Sequence, residues 1–239
     1  MTLVLVEAAK NSRSAAANNL MKPAAFLFDL DGTLIDTEML WTKSLLDFMA
    51  SRGVQLTLEE LLEHVIGRNS LDINSYLHKT YPQIGDTTPE QDAKELRLFF
   101  DKHMSDAPDT IIHESVKFFK EAAAVAPCAI VSGSPHDDIV ASITKCGLLQ
   151  LTTFVLGSGE YEHGKPSPDG YLKAAQLLGV LPSQCVVIED STVGVASGVA
   201  AGMNVIGLDR GVEGPKQSYE GCRWKVSTLA ELKAKEIEL

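Results

Sequence analysis

The sequence predicts an α/β fold in which a doubly wound parallel sheet carries a helical domain inserted after its first strand. Three observations support this prediction. Short apolar runs of strand length recur along the chain, helical patterns lie between the later ones, and one long early segment has only helical spacing. Such alternation of strands and helices is typical of a parallel sheet covered by helices on both faces.

The first predicted strand is the apolar run at 24–28, which ends at the sequence Asp29-Leu30-Asp31-Gly32-Thr33. Further candidate strands lie at 129–131, 154–156, 186–188 and 202–207, and predicted helices lie at about 135–146, 168–179 and 192–202. Continuous apolar strands indicate burial on both faces of the sheet. Ligands of such sheets bind beyond the carboxyl ends of the strands, so the polar loops there are the candidate site.

The segment from residue 39 to about 110 differs from the rest, because its apolar residues have helical spacing and form no strand-like run. We therefore expect a helical cap domain at 37–110, and a core domain made of 21–36 and 111–239. Residues 1–20 are largely small or polar in their second half, and we expect a disordered tail there.

Composition excludes several classes of protein. Lys and Arg total 21 against 32 Asp and Glu, and the resulting net charge of −11 argues against nucleic-acid binding. No apolar run reaches the ~18 residues that a membrane span needs. The four cysteines lie far apart without C-x-x-C spacing, which favours buried, reduced thiols and a cytoplasmic location.

Acidic side chains follow two of the predicted strands. Asp29 and Asp31 stand two residues apart, and Glu189 and Asp190 follow the run at 186–188. An isolated D-x-D pair is often no more than a solvated turn. Four acids at strand ends, however, offer the oxygen ligands that Mg²⁺ prefers, and we expect magnesium as the cofactor.

Two other loops offer groups that bind phosphate. Ser132-Gly133-Ser134 supplies a hydroxyl and backbone N–H groups just before a predicted helix, and Lys165 supplies a cation. A single Ser or Lys on a loop is usually only solvated. Their combination with the acids at strand ends points to a phosphate site.

The motifs Asp29-Leu30-Asp31-Gly32-Thr33, Ser132, Lys165-Pro166 and Glu189-Asp190-Ser191 resemble, in order and spacing, the four motifs of the haloacid dehalogenase-like superfamily. The resemblance covers about 24–232. The runs at 164–169 and 187–191 are similar to the branch that contains β-phosphoglucomutase and small sugar phosphatases. That branch carries a helical cap after its first motif, as expected here.

This resemblance implies a role for each motif residue. Asp29 would be the nucleophile that takes up the phosphoryl group, and Asp31 the general acid and base. Phosphate would be bound by Ser132, Gly133 and Lys165, and Mg²⁺ by Asp29, the Asp31 carbonyl, Asp190 and, through water, Glu189. A carboxylate is ionised at neutral pH and needs no activating base, which suits the role given to Asp29.

The resemblance also separates the activities of the superfamily. An acid two residues after the nucleophile, here Asp31, argues against dehalogenation and phosphonate cleavage. Mutase and phosphatase share the core motifs, but Trp41, Gly67-Arg68-Asn69-Ser70 and Pro135-His136 depart from the mutase pattern. We therefore predict a Mg²⁺-dependent phosphatase of sugar, polyol or sugar-acid phosphates such as 6-phosphogluconate, with β-phosphoglucomutase as the alternative.

An alternative of another class is a regulatory module that accepts a phosphoryl group, although such modules normally lack a cap. A dinucleotide-binding domain has no support, because no G-x-G-x-x-G follows the first strand. For substrate contact at the cap we expect Glu38, Arg68, Asn69 and His136. Trp41 either stacks on a sugar face or packs within its helix. The partner we expect is a small phosphorylated metabolite, bound by a monomer.

Overall fold

The computed structural model describes residues 21–64, 76–107, 109–211 and 216–239. The tail expected at 1–20 lies outside this part of the chain. Six parallel strands form one sheet in the order β3-β2-β1-β4-β5-β6. The strands are β1 (Ala25–Phe28), β2 (Cys128–Val131), β3 (Phe154–Leu156), β4 (Cys185–Glu189), β5 (Asn204–Leu208) and β6 (Trp224–Val226). The predicted α/β fold with a parallel sheet is confirmed.

Helices connect and cover the strands. They are α1 (Glu38–Ser51), α2 (Leu58–His64), α3 (Pro89–Asp106), α4 (His113–Ala123), α5 (His136–Lys145), α6 (Asp169–Leu178) and α7 (Thr192–Ala200), and residues 76–80 are also helical. The predicted helices near 135–146, 168–179 and 192–202 correspond to α5, α6 and α7. Among the strands and α-helices named here, α4 and the edge strand β6 were not predicted from the sequence.

The sheet buries side chains on both of its faces. Phe26 and Phe28 lie in one apolar cluster, whereas Leu27 between them lies in the other, because successive residues of a strand face opposite ways. The Phe28 ring packs against Phe119 of α4 with 4.6 Å between centroids. Burial of each such side chain contributes about 1.5–3 kcal/mol, so the sheet that carries the strand-end loops is held rigidly.

The inserted segment has an apolar cluster of its own. Residues from α1, the loop after it, α2 and the following short helical parts form it: Leu45, Phe48, Met49, Val54, Leu61, Leu77 and Ile84. Where the chain leaves and rejoins the sheet domain, Ile35 and Ile111 form an isolated antiparallel bridge. No strand occurs among the described residues between these two positions, in keeping with the expected helical segment.

All four cysteines are free thiols, and three of them are buried, whereas Cys222 is only partly buried. Burial raises the pKa of the Cys128 thiol to about 12 and that of Cys185 to about 11. The expectation of buried thiols is therefore wrong for Cys222. Within the described ranges, no helix combines the length and the apolar character that crossing a membrane requires.

The strand order places one crevice beside β1. Strands β2 and β3 lie on one side of β1, and β4 to β6 lie on the other, so the chain reverses its direction of sheet growth next to β1. In doubly wound sheets, ligands bind at this switch point beyond the carboxyl ends of the strands. The motif loops that follow β1, β2 and β4 meet at this edge.

Candidate active site

The loop after β1 presents Asp29 at the sheet edge. The Asp29 N–H donates to the Ile188 carbonyl at 3.0 Å, which extends the pairing of β1 with β4 by one residue. Three residues later, Gly32 adopts a φ of +83°, and a Cβ there would lie 2.0 Å from Oδ2 of Asp190. Only glycine fits this approach, and the loop is thereby held against Asp190, which follows β4.

Lys165 joins the two acidic loops. Its Nζ lies 2.5 Å from Oδ1 of Asp29 and 2.5 Å from Oε1 of Glu189, and it also lies over the Tyr171 ring. Burial opposes the charged ammonium, but the carboxylates of Asp29 and Glu189 outweigh it and hold the pKa of Lys165 well above its usual range. Lys165 is therefore a fixed cation beside the predicted nucleophile.

Glu189 is completely buried, and its two carboxylate oxygens have several donors. Besides Lys165, the Tyr171 hydroxyl donates to Oε1 at 2.8 Å, and the Ser191 hydroxyl donates to Oε2 at 3.1 Å. A Cβ on Gly194 would lie 1.9 Å from Cδ of Glu189, so the first turn of α7 needs glycine there. These contacts fix Glu189, and Glu189 in turn holds Lys165.

Asp31 receives hydrogen bonds from three hydroxyl groups. The Thr37 hydroxyl donates to Oδ1 at 2.7 Å, and the Ser134 and Ser132 hydroxyls donate to Oδ2 at 2.7 and 3.3 Å. Ser132 is itself buried, and its backbone N–H donates to the Leu156 carbonyl. Asp31, the predicted general acid and base, is thus hydrogen-bonded to two serines of the loop that follows β2.

The carboxylates of Asp29, Glu189 and Asp190 lie within 4.8 Å of one another. The Thr33 hydroxyl donates to Asp190 at 3.3 Å, so Thr33 orients an acid of this cluster. Burial raises the pKa of Asp29 well above its usual range, and burial together with Glu189 raises that of Asp190 to about 7. Two buried carboxylates and the partly buried Asp190, opposed by one lysine, suit a divalent cation with oxygen ligands.

The structure brings some of the other predicted site residues near the same edge. Gly133 is exposed in the loop before α5, and His136 is exposed and pairs with Glu160 through Nδ1 at 3.0 Å. Glu38 is half-buried in the first turn of α1, where burial and Asp36 raise its pKa. Arg68 and Asn69 lie outside the described residues.

Trp41 packs against a residue of another helix, and stacking of its ring on a sugar face stays a prediction. Its ring stacks on Phe100 of α3 with 4.0 Å between centroids, but 40% of the residue stays exposed. A cavity of about 1210 Å³ runs from this stack to Asp31, Gly133 and Ser134. Helices α1 and α3 thus face the predicted catalytic loops across a space large enough for a small ligand.

Sequence reasoning missed several contacts at the site. Thr37 and Ser134 bond Asp31, and Tyr171 bonds Glu189. The position of Ser134 beside Ser132 and Gly133 in the sequence could have indicated that it belongs to the site. Nothing in the sequence indicates Tyr171, because only the packing of α6 on the sheet brings its hydroxyl to Glu189.

Comparison with known proteins identifies the family. The family model of haloacid dehalogenase-like hydrolases matches residues 26–208. A hexitol phosphatase A of Escherichia coli (strain K12) is 32% identical over 197 residues, which are 82% of this chain and 88% of that protein. A 6-phosphogluconate phosphatase of the same strain is 28% identical over 185 residues, covering 76% and 80%.

A solved relative shares the fold. A HAD family hydrolase of Deinococcus radiodurans R1, solved with bound phosphate and sodium, has a TM-score of 0.68 and 31% identity, covering 89% of this chain and 94% of that one. The chain belongs to the haloacid dehalogenase-like hydrolases. Within that family it is a phosphatase-type enzyme of the branch related to sugar phosphatases and β-phosphoglucomutase, as the sequence predicted.

Proposed function

We propose that this enzyme is a Mg²⁺-dependent phosphatase that hydrolyses small phosphate monoesters through a phosphoryl group carried on Asp29. The observation that supports this most strongly is the position of Lys165 between Asp29 and Glu189 at the sheet edge. A fixed cation beside a buried carboxylate offsets the repulsion between that carboxylate and an incoming phosphate dianion.

In the first step, an Asp29 carboxylate oxygen attacks phosphorus, and the bond between phosphorus and the leaving oxygen breaks. Asp31 donates a proton to that oxygen, which departs as an alcohol. In the second step, water attacks the phosphorus of the acyl phosphate, and Asp31 takes up a proton from this water. Phosphate departs and the Asp29 carboxylate is restored. General catalysis of this type contributes about 10²–10⁴-fold.

The hydroxyl contacts of Asp31 suit both of its states. Hydroxyls rotate freely, so Thr37 and Ser134 are able to donate to an ionised Asp31 or to accept from a protonated one. No rearrangement of the loops is needed between the two steps. These contacts therefore fit Asp31 to alternate between acid and base.

The other loop residues bind the phosphoryl oxygens. Lys165, the Ser132 hydroxyl and the Gly133 N–H are the proposed donors, and their charge and dipoles stabilise the transition state. Mg²⁺ would be held by Asp29, the Asp31 carbonyl and Asp190, with Glu189 acting through water. When bound, it neutralises charge on the transferring phosphoryl group.

The proposed substrates are phosphorylated sugars, polyols or sugar acids. Relatives named as hexitol and 6-phosphogluconate phosphatases support this range, as does the cavity between the cap and the catalytic loops. Glu38, Arg68 and Asn69 of the proposed cap (residues 37–110) and His136 at the start of α5 are proposed to contact the substrate. The four free thiols support a reducing compartment such as the cytoplasm, where we propose that the enzyme acts as a monomer.

The experiment that tests this proposal is a screen of sugar, polyol and sugar-acid phosphates for release of inorganic phosphate, with Mg²⁺ and with EDTA. We expect Mg²⁺-dependent release that Asp29→Asn abolishes, while exposed Asp47→Asn retains it. With β-glucose 1-phosphate and a trace of the 1,6-bisphosphate, phosphate should appear without glucose 6-phosphate. Accumulation of glucose 6-phosphate would instead establish the mutase alternative, and absence of all turnover would contradict the proposal.

A further inference from the structure

An ion pair joins α3 of the cap to α5 of the core across the cavity. Arg97 donates through Nη2 to Oδ1 of Asp138 at 2.8 Å and through Nη1 to Oδ2, and it also donates through Nε to Asp101 at 2.6 Å. Arg97 and Asp138 both line the cavity that reaches Asp31 and Ser134. This planar, bidentate ion pair therefore lines the space into which the leaving group of a substrate would extend.

Both members of the pair remain partly exposed and keep hydrogen-bonding capacity. Side-chain exposure is 38% for Arg97 and 32% for Asp138. Three of the five N–H groups of Arg97 take part in the bonds described, and each oxygen of Asp138 accepts one bond and retains a lone pair. The pair thus offers both donors and acceptors, which is what an array of hydroxyl groups needs.

Two stacked aromatic rings lie beside the ion pair. The indole of Trp41 is stacked on Phe100, and the Arg97 guanidinium lies 5.8 Å from the centroid of the same Phe100 ring. The stack keeps the exposed indole in one orientation. A large, fixed aromatic face next to polar groups suits a ligand with both C–H and hydroxyl surfaces.

The charges around the cavity do not favour a leaving group that carries a carboxylate. The ionisable side chains that line it are Lys94, Arg97 and Lys145 together with Asp31, Glu95, Asp101 and Asp138. Arg97 is already neutralised by two carboxylates, so an additional carboxylate on a ligand would meet Asp101 and Asp138. A neutral group meets no such repulsion.

We propose that Arg97, Asp138 and Trp41 form a leaving-group subsite that selects an uncharged polyhydroxylated group over the corresponding acid. This inference rests on the proposed phosphatase function and narrows its substrates to phosphates of polyols or neutral sugars. Arg97 and Asp138, which lie side by side as an ion pair, bind hydroxyls as donor and acceptor, and Trp41 covers the C–H face.

The test compares two substrates with the same carbon skeleton, glucitol 6-phosphate and gluconate 6-phosphate, with acetyl phosphate as a reference that has no hydroxyl groups. Wild-type kcat/KM should be at least tenfold higher for glucitol 6-phosphate than for gluconate 6-phosphate. Asp138→Asn should reduce this preference at least tenfold. Arg97→Gln should reduce the ratio of kcat/KM for glucitol 6-phosphate to that for acetyl phosphate at least tenfold.

The matched control is Asp137→Asn, which removes the same charge from an exposed neighbour on the same helix and should leave every ratio as in the wild type. A wild-type preference for the acid would overturn the subsite, and so would parallel changes on all three substrates in the Arg97 and Asp138 variants. Complete absence of hydrolysis of the three phosphates by the Mg²⁺-loaded wild type is a different result, since it would overturn the proposed function itself.

Discussion

The ammonium of Lys165 lies 2.5 Å from Oδ1 of Asp29, although 136 residues separate them in sequence. The contact depends on the loop after β3, which carries Lys165 back to the end of β1. It joins the proposed nucleophile to the cation that offsets its charge.

Lys165→Met should lower kcat/KM for phosphate esters by about 10²–10³-fold, because the transition state loses a fixed charge of the kind that contributes this much elsewhere. Steady-state kinetics at saturating Mg²⁺ measure the loss. Lys117→Met, at an exposed position on α4, is the control and should behave as the wild type. Activity of Lys165→Met within threefold of the wild type would show that this cation is dispensable.

Replacing the hydroxyls that hold Asp31 should impair proton transfer. Thr37→Val combined with Ser134→Ala removes two of the three donors and should lower kcat for an alkyl phosphate by roughly tenfold or more, within the range of general acid catalysis. The loss should be smaller with p-nitrophenyl phosphate, whose leaving group needs little protonation. Equal losses on both esters would argue against a role through Asp31.

Gly194→Ala should destabilise the fold, because the new Cβ would lie 1.9 Å from Cδ of the fully buried Glu189. Overpacking of this kind costs about 1–3 kcal/mol, which corresponds to a drop in Tm of roughly 2–12 °C for a chain of this size. Thermal unfolding measures it, with exposed Val193→Ala on the same turn as the control. An unchanged Tm would mean that Glu189 does not occupy this position.

The metal-free protein should become less stable as the pH rises towards neutrality. The pKa of Asp190 is about 7 in the folded state, whereas an exposed Asp has a pKa of about 3.9. Between these two pH values the folded state therefore binds more protons than the unfolded state. The stability associated with protonated Asp190 is therefore present at low pH and lost as the pH rises through about 7.

Mg²⁺ binds the ionised carboxylates, so its stabilising effect should grow over the same pH range. Thermal unfolding in EDTA and in Mg²⁺ at pH 5.5 and pH 8 measures this effect, and the gain in Tm should be larger at pH 8. Asp190→Asn should weaken the dependence on pH. A gain that is the same at both pH values would contradict the assignment of Asp190 to the metal.

The sequence predicted those parts of the fold that depend on local pattern. Strands β1, β2 and β4 are continuous apolar runs, and the motif residues follow them directly, so their meeting at one edge follows from parallel topology. Strand β6 is only three residues long and has the exposed Lys225 at its centre, so it contains no continuous apolar run that would predict a strand.

Hydrogen bonds between particular side chains that are far apart in the sequence could not be predicted. Arg97 on α3 and Asp138 on α5 lie 41 residues apart, and only the arrangement of these two helices in the fold brings them together. Ser134 and Asp31 are 103 residues apart, and the parallel pairing of β1 with β2 brings their loops together, but no local pattern indicates that these two side chains share a hydrogen bond.

Rapid quenching during the first turnover tests most directly whether the phosphoryl group passes through Asp29. Wild-type enzyme with Mg²⁺ and a good substrate is quenched in acid, reduced with borohydride to convert an acyl phosphate to homoserine, and digested for mass spectrometry. We expect homoserine at position 29, formed only when substrate is present. Full turnover with unmodified Asp29 at every quench time, or homoserine at another acidic position, would contradict the account.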